Sequence, residues 1–362
     1  MIALVTATLP ALSDWSTHGE LSNEVARALP AIDDNLIAAI NADKTSKYVA
    51  GKNIRFEGAT LLDAKRLMGT LQAPATEFLP ARSIEEALTP VELPTDFDWR
   101  ADPRAAKCPS IKEIRDQANC GSCWAFGSVE AMTDRICLAS NGTKQAHLSA
   151  QDVASCDRLG DMGCNGGIPS TVYSYWKNTG IVTGGNYGDK SMCWSYKLPP
   201  CAHHTNSTKY PACTGETPIG SCARKCMDNQ ALEWATDKHH GQGGYSVCQQ
   251  GDSNGKCADS MAQEIYQNGP ITGMFFVHQS FTSYKSGVYH VAHPFKDPML
   301  GGHAIKNMGF GVEDGTKYWL VANSWNEDWG MDGYFKIKRG SNECNIENPI
   351  INGGPVAGMP KA

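Results

Sequence analysis

The chain has 362 residues, of which 41% are hydrophobic and 19% are charged, and its formal net charge is -6. This composition supplies enough apolar surface for one large or two medium globular domains and excludes a fibrous or disordered chain. The negative charge and the absence of basic runs argue against nucleic acid as a partner. No uncharged apolar stretch reaches the roughly 18 residues that a membrane-spanning helix needs.

The chain begins with a segment that differs in character from the rest. Residues 1–19 open with MIALVTATLPALS, which is apolar but has no positive charge before it, so it resembles a truncated secretory signal or tail. Residues 20–92 lack cysteine and have a modestly helical pattern, and Leu61–Thr70 is the clearest amphipathic helix. Prolines from Pro74 to Pro94 then predict an extended linker.

Beyond the linker, a helical half precedes a half with β-like alternation. Helices are predicted from Ser122 to about Leu138 and from Ser149, a plausible N-cap, onward. Glycine, proline and cysteine dominate residues 163–255, which predicts irregular backbone. After the short helical stretch DSMAQEIYQNG, strands are predicted in GMFFVH, SGVYHV, HAIKNMGFGV, KYWLVANSW and GYFKIKRG. We therefore expect a cleft between two subdomains.

The cysteines indicate the redox environment. All 14 lie between Cys108 and Cys344, at spacings too irregular for a repeated zinc module. Such a density predicts a disulfide framework made in an oxidising compartment. Sequons at Asn141 and Asn206 agree with that compartment.

Cys123 lies in DQANCGSCWAF, just where a helical apolar run begins. A thiol in the first turn of a helix is exposed to the positive end of the helix dipole and to unpaired N–H groups, which favour the thiolate. This environment suits a nucleophile. A redox pair with Cys120 or half of a zinc site would use the same spacing, but no βαβ pattern surrounds the motif and no second CxxC follows at zinc spacing.

A thiol nucleophile also needs a base, a group that orients the base, and donors for the oxyanion. His303 in GGHAI is the candidate base, because the small residues around it allow a substrate to approach. Asn323, at the start of NSWNEDWG, could orient the imidazole while Trp325 covers the pair from water. A buried Asn beside Trp is often structural, which is the alternative. Gln117 could donate its side-chain amide to the oxyanion.

These residues resemble the papain family of cysteine proteases, whose nucleophile signature is matched at every position of CGSCW. Several stretches from Leu93 onward are similar to its cathepsin B-like group: CPSIKEIRDQ, GCNGG, DKHHG, MAQEIYQNGP, YKSGVYHV, GGHAI and YWLVANSWNEDWG. The resemblance implies an α+β, papain-like fold with a helical left half, an antiparallel β-barrel-like right half and an active-site cleft between them. It implies a peptidase domain over residues 93–362 with these catalytic residues: Cys123, His303, Asn323 and Gln117.

An insertion separates the nucleophile from the base. Cys123 and His303 are 180 positions apart (303 minus 123), against about 130–150 in papain-type enzymes. The excess lies in residues 193–216, which resemble the occluding loop of the cathepsin B-like group. His203 and His204 in this loop, charged at acidic pH, would bind a substrate's C-terminal carboxylate, so that dipeptides are removed. A solvated surface pair or a metal site is the alternative. By resemblance, two pairs would latch the loop: His203 with Asp116, and Lys209 with Asp328.

The resemblance also implies most of the disulfide pairing. The implied bridges are Cys108 with Cys137, Cys120 with Cys164, Cys156 with Cys222, Cys193 with Cys226, and Cys201 with Cys213. Cys123 must remain free. Cys248 and Cys257 are paired here only because they lie close together in the sequence. Cys344 is left over, as a buried thiol.

Substrate contacts are predicted at glycines that leave room for peptide backbone. Gly166 and Gly167 in GCNGGIP, and Gly302 beside the base, are the candidates, together with Trp325. A plain turn is the alternative for any glycine pair. The cathepsin B-like group places an acid in the pocket for the second substrate residue, whereas Pro349 stands at the equivalent step of CNIENPIINGG. We expect an apolar or aromatic preference there.

Residues 20–92 resemble the short propeptide of the group, with Ala64–Thr70 as the element that crosses the active site. An accessory helical domain is the alternative. The resemblance implies a monomeric zymogen, inhibited by its own propeptide, for a lysosome, a vacuole or secretion. Peptide and protein substrates and cystatin-like inhibitors are the implied partners, with no cofactor or metal. A catalytically silent peptide-binding homologue and a thiol redox protein remain as alternatives.

Overall fold

The computed structural model describes residues 21–72, 79–81, 91–159, 161–201, 218–248, 256–294, 296–348 and 355–361. The helices are α1 (Asn23–Ala28), α2 (Asp34–Ala42), α3 (Leu61–Lys65), α4 (Cys123–Ala139), α5 (Ala150–Cys156), α6 (Pro169–Asn178) and α7 (Lys256–Asn268). The strands are β1 (Tyr48–Ala50), β2 (Phe97–Asp98), β3 (Gly241–Ser246), β4 (Ile271–His278), β5 (Tyr284–Tyr289), β6 (Met299–Glu313), β7 (Thr316–Ala322), β8 (Tyr334–Lys338) and β9 (Val356–Pro360). Within these residues, no helix has both the length and the apolar character needed to cross a membrane.

The α+β class is confirmed, with helices α4–α6 preceding a large sheet. The strands follow the order β1-β5-β8-β7-β6-β4-β9-β3, and β2 pairs with β6. The pairs are antiparallel except for β5 with β8, which is parallel. In the part of the chain that is described, this path is open at both ends, so the half predicted to be barrel-like is an unclosed sheet.

Helix α4 joins the two halves. Its residues from Cys123 through Cys137 are buried, as expected for a helix that is packed on every side. A Cβ atom at Gly127 would lie 2.9 Å from the backbone nitrogen of Ile305, so only glycine lets α4 approach β6 this closely. This approach brings the start of α4 beside His303.

The N-terminal segment, defined here as residues 21–72, packs against the main domain. Strand β1 pairs antiparallel with β5, with Tyr48 opposite Gly287. Helix α3 starts with a capping box between Thr60 and Asp63. The predicted helix over Leu61–Thr70 is wrong beyond Lys65, because the residues that follow leave the helix and cross the cleft.

One other prediction differs from the structure, and one predicted helix start is confirmed. Residues 163–255 are not irregular throughout, since they contain α6 and β3. Helix α6 begins at Pro169, a position where proline costs no hydrogen bond, so the proline that suggested a loop is a helix start. Ser149 caps α5 as predicted, with its side chain accepting from the Asp152 N–H.

The disulfide predictions are confirmed wherever both cysteines are described. The bridges are Cys108 with Cys137, Cys120 with Cys164, Cys156 with Cys222, Cys193 with Cys226, and Cys248 with Cys257. Cys201 is also disulfide-bonded, and its predicted partner Cys213 lies outside the described residues. Cys123 and Cys344 are free thiols. This framework indicates folding in an oxidising compartment.

Candidate active site

Cys123 is the first residue of α4 and is fully buried. Its sulfur accepts a hydrogen bond from the Gly69 N–H at 3.2 Å and lies 3.6 Å from the Thr70 hydroxyl. The backbone N–H of Ala304, next to His303, also donates to it. Because Cys120 is bridged to Cys164, it is not available as a redox partner for Cys123.

His303 and Asn323 form a hydrogen-bonded pair with a defined polarity. Asn323 Oδ1 accepts from the Ser324 N–H at 2.8 Å, which fixes that atom as the oxygen. His303 Nε2 lies 2.8 Å from the same oxygen and must therefore carry the ring proton. In the neutral ring, Nδ1 is then the basic nitrogen. Nδ1 is buried and, in the neutral ring, receives no hydrogen bond from the described residues.

Trp325 covers the ring of His303 in this pair. Its ring centroid lies 4.9 Å from that of His303 at an interplanar angle of 35°, and its side chain is fully buried. Phe56 of the N-terminal segment packs edge-on against Trp325 at 5.1 Å. The imidazole is thereby closed off from water in this state.

Gln117 is held by hydrogen bonds from several segments of the chain. Its Oε1 accepts from the Ser324 hydroxyl at 2.8 Å, its backbone carbonyl accepts from Tyr196 Oη at 2.9 Å, and its Nε2 donates to Cys120 O at 2.7 Å. The same Nε2 donates to the Leu67 carbonyl at 3.0 Å. The amide predicted to bind an oxyanion thus binds a peptide carbonyl of the N-terminal segment.

The predicted substrate glycines bind the same segment through backbone hydrogen bonds. The Gly167 N–H donates to Gly69 O at 2.9 Å, and the Leu71 N–H donates to Gly167 O at 2.9 Å. On the opposite side, the Thr70 N–H donates to Gly302 O at 3.1 Å. The segment runs parallel to the chain at Gly167 and antiparallel to it at Gly302.

The glycines at this crossing have no room for side chains. A Cβ at Gly69 would lie 1.8 Å from the carbonyl oxygen of Gly121. A Cβ at Gly166, where φ is +110°, would lie 2.9 Å from the side chain of Leu71. A Cβ at Gly167 would lie 2.4 Å from the Trp124 ring.

Burial shifts both catalytic candidates toward their neutral forms. It raises the pKa of the Cys123 thiol, and the hydrogen bonds from Ala304, Thr70 and Gly69 offset this only in part. It lowers the pKa of His303 to about 4, against the opposing effects of Asn323 and the Leu67 carbonyl. The thiolate expected from the helix dipole is therefore disfavoured while the N-terminal segment covers the site.

The loop predictions lie outside the described residues. These are His203, His204, Lys209, the sequon at Asn206 and the pocket residue Pro349. Asp116, the predicted partner of His203, contacts Arg55 of the N-terminal segment, with a shortest distance of 3.3 Å. Within the described chain, Cys193, Cys226 and Asp237 lie close enough for a metal, but the two sulfurs are joined in a disulfide.

Three residues that the sequence did not single out support the site. Ser324 binds both Gln117 and Asn323, and its place inside NSW could have drawn attention to it. Tyr196 and Asp161 come from distant segments. Asp161 accepts from the Ile168 N–H at 2.7 Å, just behind Gly167. Neither carried a local sequence signal.

Comparisons with known proteins agree with this geometry. Residues 93–353 match the family described as papain family cysteine protease. A cathepsin B-like cysteine proteinase of Schistosoma japonicum is 42% identical over 325 residues, covering 89% of this chain and 90% of that protein. Cathepsin B-like cysteine proteinase 6 of Caenorhabditis elegans is 43% identical over 268 residues, covering 73% and 67%.

A solved structure extends the likeness to the N-terminal segment. The proCathepsin B S9 of Trypanosoma congolense superposes with a TM-score of 0.76 at 32% identity, covering 92% of this chain and 100% of that one. The chain belongs to the papain family of cysteine proteases and, within it, to the cathepsin B-like group.

Proposed function

We propose that this cysteine peptidase hydrolyses peptide bonds through Cys123, His303, Asn323 and Gln117, and that the full-length chain is its zymogen. The observation that carries the proposal is the position of the Leu67 carbonyl. It lies on the Gln117 amide while the next residues reach the Cys123 sulfur. A substrate carbonyl in the same place would face the sulfur and the oxyanion donor together.

The proposed chemistry follows from the protonation pattern. His303 Nδ1 takes the thiol proton, and the Cys123 sulfur attacks the peptide carbonyl carbon. Gln117 Nε2 and the Cys123 N–H stabilise the oxyanion. The intermediate collapses as Nδ1 gives the proton to the leaving amine. Water then hydrolyses the thioester with His303 as base, while Asn323 holds the Nε2 proton throughout.

The N-terminal segment acts as a propeptide in this proposal. It fills both walls of the cleft with backbone hydrogen bonds at Gly167 and Gly302. Its parallel alignment with Gly167 is the reverse of what we propose for a substrate, which prevents cleavage in place. We propose that the peptidase domain begins at residue 93.

Labelling of one thiol tests this function. An epoxide inhibitor of papain-like enzymes should label Cys123 stoichiometrically in the processed chain and slowly in the full-length chain, because Gly69 and Thr70 cover the sulfur. No labelling of the processed chain, with no turnover, would favour a silent peptide-binding homologue. Labelling at Cys120 as well as Cys123 would favour a redox protein.

We also propose a peptidyl-dipeptidase activity from the loop histidines. His203 and His204 would bind the free C-terminal carboxylate when they are protonated. In the processed chain, removal of Arg55 would free Asp116 to pair with His203. Lys209 would contact Asp328 as a point charge, and therefore loosely.

The ratio of dipeptidase to endopeptidase activity is expected to fall as the pH rises from about 5 to about 8, because the histidines lose the charge that binds a carboxylate. Parallel assays with a free-acid peptide and its C-terminal amide measure this ratio. His204→Gln should flatten the profile, whereas His240→Gln, at the edge of β3, should not. A constant ratio in the unmodified enzyme would contradict the proposal.

Glu347, the acidic residue nearest to Pro349 in the sequence, does not supply a charge to the pocket for the second substrate residue. Glu347 accepts hydrogen bonds from Trp319 Nε1 at 2.9 Å, Gly340 N at 2.6 Å and Asn342 N at 2.8 Å. Its carboxylate is thus committed to holding the segment after β8. This supports an apolar or aromatic preference for the second substrate residue.

The remaining proposals concern the setting of the enzyme. The disulfides suit an oxidising compartment, and the loop histidines suit an acidic one. We therefore propose that the enzyme acts in a lysosome or a vacuole, or after secretion. Asn141 is the proposed glycosylation site within the described residues. Cystatin-like inhibitors would compete for the cleft, and the enzyme would act as a monomer.

A further inference from the structure

Two buried carboxyl groups, those of Asp157 and Asp161, lie close together, and the Asp161 group packs on Gly167. Asp157 follows α5 and is 1% exposed, and Asp161 is 6% exposed. Asp161 Oδ1 accepts from the Ile168 N–H at 2.7 Å and Oδ2 accepts from the Thr171 hydroxyl at 2.9 Å. A Cβ at Gly167 would come within 2.6 Å of Asp161 Oδ1, so this carboxyl packs directly on the glycine.

The Asp157 carboxyl has one oxygen with no donor. Oδ1 accepts from the Leu159 N–H at 3.2 Å, whereas Oδ2 is buried and, with both carboxyls ionised, has no hydrogen-bond partner among the described residues. The side chains of Asp157 and Asp161 lie within hydrogen-bonding reach of each other. Two ionised carboxylates are both acceptors, so this contact requires one proton between them.

A proton fits this site better than a cation does. The Asp161 oxygens already accept hydrogens from Ile168 and Thr171, and those hydrogens would face a bound metal ion. Only Asp157 Oδ2 is left without a donor, whereas Ca²⁺ takes about six to eight oxygen ligands.

We propose that Asp157 and Asp161 share one proton, and that this carboxyl pair positions Gly167 to bind peptide backbone. The inference rests on the proposed function, in which Gly167 binds a substrate as it binds Gly69 and Leu71 here. Asp161 controls the peptide unit between Gly167 and Ile168. Loss of the shared proton places two charges side by side, and their repulsion displaces that unit.

Burial and neighbouring carboxyl groups dominate the environment of the pair. The pKa of both carboxyls is raised by burial, and that of Asp161 is also raised by the charge of Asp157. Asp152 on α5 raises the pKa of Asp157 further, and Lys238 is engaged with Asp152 at 3.1 Å. The titratable and charged groups around the pair are Asp152, Tyr175, Arg158, Arg224 and Lys238.

The shared proton determines the direction in which KM changes with pH. In acid the pair holds its proton and Gly167 is in place. As the pH rises through the raised pKa values, the proton is lost and KM rises, whereas kcat for bound substrate changes little because no reacting atom is involved.

Asp157→Asn tests the proposal, because an amide can donate to ionised Asp161 at any pH. KM is measured in the processed enzyme between about pH 5 and pH 8, with a peptide amide that excludes the carboxylate-binding histidines. The ratio of wild-type KM to the variant's KM should be near one in acid and rise by about tenfold or more at the alkaline end. Asp314→Asn, at an exposed turn, should follow the wild type at every pH.

A KM ratio that does not change with pH, in enzymes that turn over, overturns the carboxyl pair but not the peptidase. A wild-type enzyme without any turnover overturns the proposed function instead. If Asp157→Asn does not fold, carboxyl ¹³C NMR of aspartate-labelled wild type replaces it. One carboxyl must then stay protonated above about pH 6, well above the ordinary aspartate pKa, and its absence overturns the proposal.

Discussion

Replacing Cys123 with alanine is expected to lower kcat/KM for peptide hydrolysis by about 10⁵-fold or more, the scale seen when a covalent nucleophile is removed. The reason is that every later step passes through the sulfur: without it, the Gln117 amide and His303 have no acyl-enzyme to act on. Initial rates of the processed enzyme on a fluorogenic peptide, normalised to protein concentration, measure the loss.

Cys344→Ser is the matched control, since Cys344 is the other free thiol of the described residues. It should retain activity within about twofold, as expected for a change outside the site. His303→Ala should lose about as much as Cys123→Ala, and the double variant should lose little more, because nucleophile and base act as a unit. Additive losses would mean that the two residues act separately.

The pKa shifts of Cys123 and His303 agree with the proposed zymogen. With Gly69 and Thr70 on the sulfur and Phe56 on Trp325, burial raises the pKa of Cys123 and lowers that of His303. Both shifts oppose a thiolate and imidazolium pair. When the N-terminal segment leaves, water reaches the cleft and the helix dipole at the start of α4 can again favour the thiolate.

The sequence was sufficient to propose the reacting groups and insufficient to identify the residues that hold them. Cys123 and His303 were recognisable because their chemistry depends on residue type and local context. Their supports depend on contacts between distant segments. Tyr196 binds Gln117 across 79 positions, and no local pattern encodes such a contact.

The misread elements have a similar cause. The stretch after Lys65 has helical periodicity, but the backbone hydrogen bonds to Gly167 and Gly302 outweigh that weak local preference. Helix α6 was not predicted, because the glycines before it and its initial proline indicated a loop. The parallel pairing of Thr70 with Gly167 depends on the assembled cleft, and no local sequence pattern predicts it.

Arg55→Ala is expected to weaken inhibition by the N-terminal segment by at least about 30-fold, the lower end for removing one partner of a buried, hydrogen-bonded charge pair. The Arg55 side chain is fully buried. Nη1 contacts Asp116 at 3.3 Å and donates to the Cys201 carbonyl at 2.9 Å, and Nη2 donates to the Ala118 carbonyl at 2.9 Å. Alanine leaves both carbonyls and the Asp116 carboxylate with one donor fewer each.

The rate of epoxide labelling at Cys123 in the uncleaved full-length chain reports this loss directly, because the inhibitor enters only when the segment opens. Arg27→Ala is the matched control, as Arg27 is exposed on α1 of the same segment and should leave the rate unchanged. Arg55→Lys should fall between the two, since an ammonium keeps the charge but cannot span Asp116, Cys201 and Ala118 as the guanidinium fork does. Equal labelling rates for Arg55→Ala and Arg27→Ala would mean that the backbone hydrogen bonds at Gly167 and Gly302 alone hold the segment in the cleft.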